Sequence, residues 1–231
     1  PGWYLDANIY AFPVKLAQKF GIKLLFYGED VNYTYGGEYD EETPSAILQS
    51  KNDVVKPIWE QWFKGGLLSE KDLDSVKQPD PEEIKNSKLE MIYLSYFVPW
   101  NSHHNYEVAK LHGFKHLGHE YTRESSVDEY DQIDSLGYLF NPFLKYPKFG
   151  HSISTDIASR WIRYGLKTRE EMIPFVEKHD GVLDQGTVDK FCEFTKMSYG
   201  EFYSILDKWY NTELFERDND GVWHKKFKVG Q

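Results

Sequence analysis

Ile22-Lys23-Leu24-Leu25-Phe26-Tyr27-Gly28-Glu29-Asp30 is the stretch that decides the fold class. Its first part is a short, nearly continuous apolar run, too short for a core helix, and it ends in a turn-forming Gly-Glu-Asp. A run apolar at successive positions predicts a parallel strand covered on both faces. Just upstream, Val14, Leu16, Ala17 and Phe20 lie at helical spacing within Phe12 to Phe20, and Gly21 supplies the C-terminal cap. Helix followed by buried strand reads as α/β. In open parallel sheets the ligand crevice lies beyond the carboxyl ends of the strands, which makes Gly28, Glu29 and Asp30 candidates for a site.

Working outward, Leu89 to Val98 is a second apolar and aromatic strand candidate, ending at Pro99-Trp100-Asn101. A helix from about Asn105 to Leu111, capped by Gly113, follows it. Between the two strands, Tyr33 to Gly37 reads as a loop, Thr43-Pro44 starts a helical stretch, and Pro57 to Phe63 makes another helix stopped by Gly65-Gly66. Ser69-x-x-Asp72 and Asp80-Pro81-Glu82-Glu83 read as further helix starts with acidic first turns. Beyond Lys145 to Gly150 the pattern is helical. One helix begins near Thr155, with Ile157, Ala158, Trp161 and Ile162 as its apolar stripe. Thr168-x-x-Glu171 and Ser198-x-x-Glu201 are capping-box starts for two more, and Pro174 interrupts the first of these. Asp218-Asn219-Asp220-Gly221 reads as a turn between short strands. The expected organisation is a partial α/β sheet domain over 1–150, with a helical insertion at about 40–88, and a helical carboxyl-terminal region over 151–231.

The composition narrows the function. The 231 residues carry 27 Lys and Arg against 37 Asp and Glu, a net charge of −10, which disfavours a general nucleic-acid or anionic-membrane binder and requires any anion site to be built locally. No apolar stretch approaches the length of a membrane span. Cys192 is the only cysteine, so this chain forms no internal disulfide and no multi-cysteine zinc site, and a cytoplasmic location fits best. Cys192 itself sits in a helical apolar pattern and reads as core. Aromatic residues make up 17%, a surplus that serves sugar stacking, a partner interface or an aromatic-rich core.

Several constellations bear on chemistry. His103, His104, His112, His116 and His119 crowd one region, and the spacing of the last three superficially resembles a metal-ligand pattern, but Gly113 and Gly118 break the helix that would align them. Asp128, Glu129, Asp131 and Asp134 are a candidate magnesium cluster or a solvated acidic face. Asp218-Asn219-Asp220-Gly221 has no glutamate where a calcium loop needs one. The most specific group is Lys145, Lys148, His151, Thr155, Asp156, Arg160 and Arg163, which surrounds a glycine-preceded helix start. It is suited to a phosphate or sugar carboxylate bound through backbone amides, hydroxyls and guanidinium forks. The alternative is that both arginines pair with nearby acids. The sequence holds no nucleophile elbow, no Gly-x-x-x-x-Gly-Lys phosphate loop and no dinucleotide fingerprint.

Taken together, Tyr27-Gly28-Glu29-Asp30, Tyr35-Gly36-Gly37, the run from Lys148 to Gly165, Thr168-Arg169-Glu170-Glu171, His179-Asp180-Gly181 and the helical ending from Ser198 to Leu214 resemble the N-acetyl sugar amidotransferases. The resemblance spans most of the chain. It implies an ATP pyrophosphatase of the adenine-nucleotide α-hydrolase type, with a Rossmann-like parallel sheet, acting in bacterial surface-polysaccharide, pseudaminic-acid or O-antigen pathways. The implied reaction converts an acetamido group on a sugar or nucleotide sugar to an acetamidino group. ATP with magnesium activates the amide oxygen, and ammonia from a glutaminase partner displaces AMP. That glutaminase and its cyclase-like companion resemble those of imidazole glycerol phosphate synthase, and a homo-oligomer is a further expectation.

The Ser-Gly-Gly-x-Asp-Ser pyrophosphate loop of that family is not in this sequence. The chain is therefore expected to be the carboxyl-terminal part of the enzyme, inactive alone. Carried over by the resemblance, Glu29 is the candidate catalytic residue. Gly28, His151, Thr155, Asp156, Arg160, Arg163 and Arg169 are the candidate substrate- or phosphate-binding residues, with Arg160 and Arg163 on a phosphate or sugar carboxylate. The competing reading is a non-catalytic carbohydrate-binding or scaffolding module with Tyr33, Tyr35, Trp100 and Trp161 as stacking platforms.

Overall fold

Ala7, Tyr10, Ala11, Val14 and Ala17 recur at helical spacing and are all buried, and they define helix α1 over Gly2–Phe20. The helix is longer than the Phe12–Phe20 read from the sequence. Pro13 lies inside it, and the packed stripe that continues on both sides of Pro13 outweighs the missing backbone bond. At its end Gly21, at φ +67, makes the Schellman turn that the glycine predicts: the Ile22 amide donates to the Ala17 carbonyl and the Gly21 amide to Gln18.

The computed structural model describes residues 2–29, 43–47, 65–66, 68–116, 123–125, 128–131 and 136–230. The chain divides into two compact units, Pro1–Trp100 and Asn101–Gln231. In the first, strand β1 (Leu24–Tyr27) pairs in parallel with β2 (Glu90–Tyr93), with Leu24 opposite Glu90 and Tyr27 opposite Tyr93. Helix α2 (Pro81–Asn86), capped by the Asp80 side chain, precedes β2. The second strand is shorter than Leu89–Val98 because its partner ends at Tyr27. Past Tyr93 the backbone closes into a 3-10 turn, Leu94–Tyr96. Thr43 to Ala46 are extended, and the residues from 48 on, where the expected helical stretch would continue, lie outside the described residues. The Tyr93 amide donates to the Pro44 carbonyl and the Ala46 amide to Met91, so this segment runs antiparallel along the outer edge of β2. Ser69 to Asp72 likewise forms a turn rather than a helix start, with Asp72 accepting from the Ser69 amide and hydroxyl.

Pleating sends Leu25, Tyr27, Met91 and Tyr93 to one face of the sheet, where they form a core with Tyr10, Val14, Ala17 and Ile84. The other face is not covered as the continuous apolar run predicts: Leu24 is 45% and Phe26 53% exposed. The architecture is α/β, with a short parallel pair and many helices. The predicted loop at Tyr33–Gly37, the helix at Pro57–Phe63 and most of the proposed insertion lie outside the described residues.

The second unit begins with α3 (Ser102–Leu111), capped by Asn101. It continues through α4 (Leu136–Phe143), α5 (Lys145–Phe149), α6 (Ile153–Arg163), α7 (Arg169–His179), α8 (Gln185–Thr195) and α9 (Tyr199–Asp207). Both predicted capping boxes are present, at Thr168/Glu171 and Ser198/Glu201, and Pro174 lies within α7. Strands β3 (Phe215–Arg217) and β4 (Trp223–Lys225) pair antiparallel across the Asp218–Gly221 turn, as read from the sequence. Phe143, Val188, Cys192, Phe202 and Leu206 form one core, and Ala158, Met172 and Val176 another. No helix among the described residues is long and apolar enough to cross a membrane.

Gly150 ends α5 at φ +78, and a Cβ built there would sit 2.7 Å from the Phe227 ring, whereas Gly165, at φ +71 after α6, faces open space. Replacing Gly165 with Ala is expected to cost about 1–2 kcal/mol, the left-handed backbone term alone. Gly150→Ala should cost a further ~1–3 kcal/mol from overpacking. Urea denaturation of the two variants measures the difference, and equal losses would contradict the packing assignment.

Candidate functional site

Helix α6 leaves its first backbone amides without intrahelical partners, as every helix does. Its N-cap, Ser152, makes no capping bond of its own. The cap comes instead from Asp180, the residue that ends α7. Its Oδ1 accepts from the amides of Ser152 (2.9 Å) and Thr155 (3.0 Å), and its Oδ2 from the Thr155 hydroxyl (2.9 Å). The Ser152 hydroxyl lies within 2.8 Å of Oδ1 and 2.6 Å of the Asp180 carbonyl. Asp180 is 1% exposed. The carboxylate thus does for the third amide of α6 what a capping serine would do, and adds a charge at the positive end of the helix.

The rest of His179-Asp180-Gly181 has a similar explanation. His179 Nδ1 contacts the Glu124 carbonyl, and Gly181 lets the Tyr146 hydroxyl come to 2.7 Å from where a Cβ would stand. Residues 123–125 are fastened to the same helices: Asp184, which precedes α8, accepts from the Glu124 amide and the Ser125 hydroxyl, and the Ser154 hydroxyl donates to the Ser125 carbonyl.

A second polar cluster lies alongside. Arg160, on α6, donates to Asp131 in a tight ion pair. Burial opposes the Arg160 charge, but Asp131 raises its pKa overall. Arg123, its side chain 1% exposed, donates from Nη1 to the Asp131 carbonyl and lies 3.7 Å from Asp128 Oδ1. Its Nε and Nη2 find no acceptor. A buried donor left so costs on the order of 1–3 kcal/mol. Asp128 accepts from the amides of Tyr130 and Asp131. Burial and then the like charge of Asp131 push its carboxyl from 3.8 to about 6, against the pull of those amides and of Arg123.

The remaining candidates are placed as follows. His151 has Nδ1 3.9 Å from Asp156 Oδ1, and Asp156 pairs with Lys145 at 2.8 Å. Lys148 lies over the Trp209 ring. Arg169 donates to the Gly230 carbonyl and anchors the end of the chain, while Arg163 is exposed on the last turn of α6. Within the first unit, Gly28 and Glu29 follow β1, and the Glu29 carbonyl accepts from the Ser95 hydroxyl. Beside them the Tyr27 hydroxyl is buried without a hydrogen-bond partner, and burial, then Glu29, raises its pKa.

His116 pairs with Glu129, and Cys192 is buried core. Trp161 packs against the Ala158, Met172 and Val176 core instead of standing out as a platform, and Trp100 is half-buried. Asp30, Tyr33, Tyr35, His119 and Asp134 lie outside the described residues. Among the described residues no group of three or more His, Cys, Asp or Glu side chains is placed to hold a metal ion. With the α6 amides taken by Asp180, these residues do not fit a magnesium nucleotide.

Residues 120–228 match the family model described as LPS biosynthesis protein WbpG-like, C-terminal domain. The match supports an LPS-biosynthesis family and takes in both polar clusters. No curated protein matches the chain.

Two residues of the site have no motif of their own in the reading above. Asp180 is visible only as part of His179-Asp180-Gly181, with no sign that it caps a helix 28 residues earlier in the chain. Arg123 gives no local signal at all.

Two measurements check this description. Asp180→Ala is expected to lower stability by about 3 kcal/mol or more, since it strands buried amides, while Asp180→Asn, which keeps an acceptor, should lose less. Equal losses in urea denaturation would contradict the capping role. For Asp128 the folded carboxyl binds its proton more tightly than the unfolded one. Its contribution to stability is therefore full below 3.8 and is lost as pH rises through about 6. Asp128→Asn should flatten the stability profile across that window, and an unchanged slope would contradict the assignment.

Proposed function

We propose that this chain is the sugar-recognising and partner-docking part of an ATP-dependent amidotransferase. The enzyme converts an acetamido group of a bacterial surface-polysaccharide sugar to an acetamidino group in the cytoplasm. The observation that carries the proposal is the match of residues 120–228 to the C-terminal domain of an LPS biosynthesis protein. The order of the separated motifs from Tyr27-Gly28-Glu29 to Ser198–Leu214 supports the amidotransferase reading within it.

The first unit supports a Rossmann-like sheet of the adenine-nucleotide α-hydrolase type. It has a parallel pair with α1 on one face, an apolar opposite face, and Gly28-Glu29 at the carboxyl end, where such folds bind ligands. In the reaction the nitrogen of ammonia, delivered by a glutaminase partner, replaces the amide oxygen, which departs on AMP. An amide carbonyl is a poor electrophile, and ATP supplies the activation of its oxygen. The pyrophosphate loop that would hold that nucleotide is not in this sequence. Glu29 is assigned to positioning at the reacting centre, and Arg163 to an anionic group of the substrate. Thr155 and Arg160 hold α6 in place through Asp180 and Asp131.

The test uses the complete gene product that contains this chain, supplied with ATP, ammonium and N-acetylated nucleotide sugars. Pyrophosphate release coupled to replacement of the amide oxygen by NH, read by mass spectrometry, is the expected result. A complete gene product with no pyrophosphate loop and no such turnover would overturn the reading in favour of a binding module. Arg163→Ala in the active enzyme is expected to raise KM and lower kcat/KM by about tenfold or more. Unchanged constants would remove Arg163 from the substrate site.

A further inference from the structure

Strand β1 has one edge in use. The Glu90 amide donates to the Lys23 carbonyl, and at the far end the Ser95 hydroxyl donates to the Glu29 carbonyl. Successive residues of a strand turn their amide and carbonyl to opposite sides. Lys23, Leu25, Tyr27 and Glu29 are therefore engaged toward β2, and Leu24, Phe26 and Gly28 face the other way. Among the described residues nothing takes up the amide or carbonyl of these three. Their side chains leave the edge open as well: Leu24 and Phe26 are exposed, and a Cβ built on Gly28 meets nothing within 4 Å. An apolar strand edge of this kind is a template for pairing with another chain.

The charges at its ends select the occupant. Lys23 and Glu29 each lie three residues from Phe26. Neither meets an opposite charge among the described residues, and the Lys23 ammonium bonds to the Ser87 carbonyl. When a second copy lies antiparallel across a two-fold axis at Phe26, the outward residues pair Leu24 with Gly28 and Phe26 with Phe26, and Lys23 falls opposite Glu29 at both ends. Gly28 leaves room for Leu24, and the exposed Phe26 rings meet at the axis. Sliding the copies by one residue sets outward groups against inward ones. Sliding by two sets Lys23 against Tyr27, or Leu25 against Glu29, and loses both ion pairs. We infer that the free edge of β1 pairs antiparallel with β1 of a second copy, joining the two sheets in the order β2-β1-β1-β2. Because Glu29 closes the carboxyl end of β1, the partner's Lys23 enters the candidate site at Gly28-Glu29. The inference goes beyond the amidotransferase reading and does not rest on it, because association needs neither nucleotide nor ammonia.

The experiment measures the mass of the full 231-residue chain by sedimentation equilibrium over a dilution series, with amide hydrogen exchange on the same samples. The expected result is a dimer that dissociates on dilution, with the Leu24, Phe26 and Gly28 amides protected only in the dimer. Phe26→Pro removes an outward amide, spares the bonds to β2, and should weaken association by about tenfold or more. Lys23→Glu and Glu29→Lys each set like charges across the contact and should weaken it too, while an equimolar mixture of these two variants should pair as a heterodimer with near-native affinity. A chain that is monomeric at every concentration overturns the inference. So does a dimer that all three variants leave unchanged, or protection of the three amides that does not vary with concentration, which would mean the edge is covered within the chain. Should Phe26→Pro fail to fold by circular dichroism, the mixture still decides the matter, because absence of the heterodimer also overturns the inference. Turnover plays no part in the readout, so this result and the pyrophosphate assay fail independently.

Discussion

Asp180 holds together the part of the molecule that carries the candidate site. A carboxylate at the end of α7 takes the amides of Ser152 and Thr155 and so caps α6, which does not cap itself. Because the group is buried, each bond replaces a lost contact with water, and losing any partner leaves a polar group stranded. That makes the junction a matter of exact complements. Gly181 has to lack a side chain for Tyr146 to reach it, and His179 and Asp184 have to meet residues 124 and 125 for the 123–125 segment to lie where it does. The position of Arg123 is a consequence of this arrangement.

The same bonds change the meaning of the phosphate-like signals around α6. A glycine-preceded helix start flanked by lysine, histidine and arginine has the composition of an anion pocket. In the structure the amide end is occupied by the protein's own carboxylate, Lys145 is paired with Asp156, and Arg160 with Asp131. Alongside, the buried Arg123 keeps Nε and Nη2 without an acceptor.

Much of the fold was legible from the sequence because local chemistry determines it. The capping boxes at Thr168 and Ser198, the Gly21 turn and the Asp218–Gly221 hairpin all follow from residues close in sequence. The differences arise where a distant partner decides. The helix read as Phe12–Phe20 extends back to Gly2 because a buried stripe runs on both sides of Pro13, and the Pro44–Ala46 segment is held along β2 by bonds from the Tyr93 amide to Pro44 and from the Ala46 amide to Met91. The site was legible as a set of motifs but not as roles. His179-Asp180-Gly181 stands out in the sequence, yet its function in the fold depends on Ser152, Thr155, Glu124 and Tyr146, which no spacing rule connects to it.

The central claim, that the start of α6 is satisfied internally and is not open to a ligand, is tested most directly by hydrogen exchange at the Ser152 and Thr155 amides. Amides at an uncapped helix start exchange rapidly, whereas amides bonded to a buried carboxylate open only with the surrounding structure. The account predicts strong protection of both amides in the native chain, unchanged by added pyrophosphate. Rapid exchange that slows when pyrophosphate is added would contradict it and return the α6 amides to the anion site.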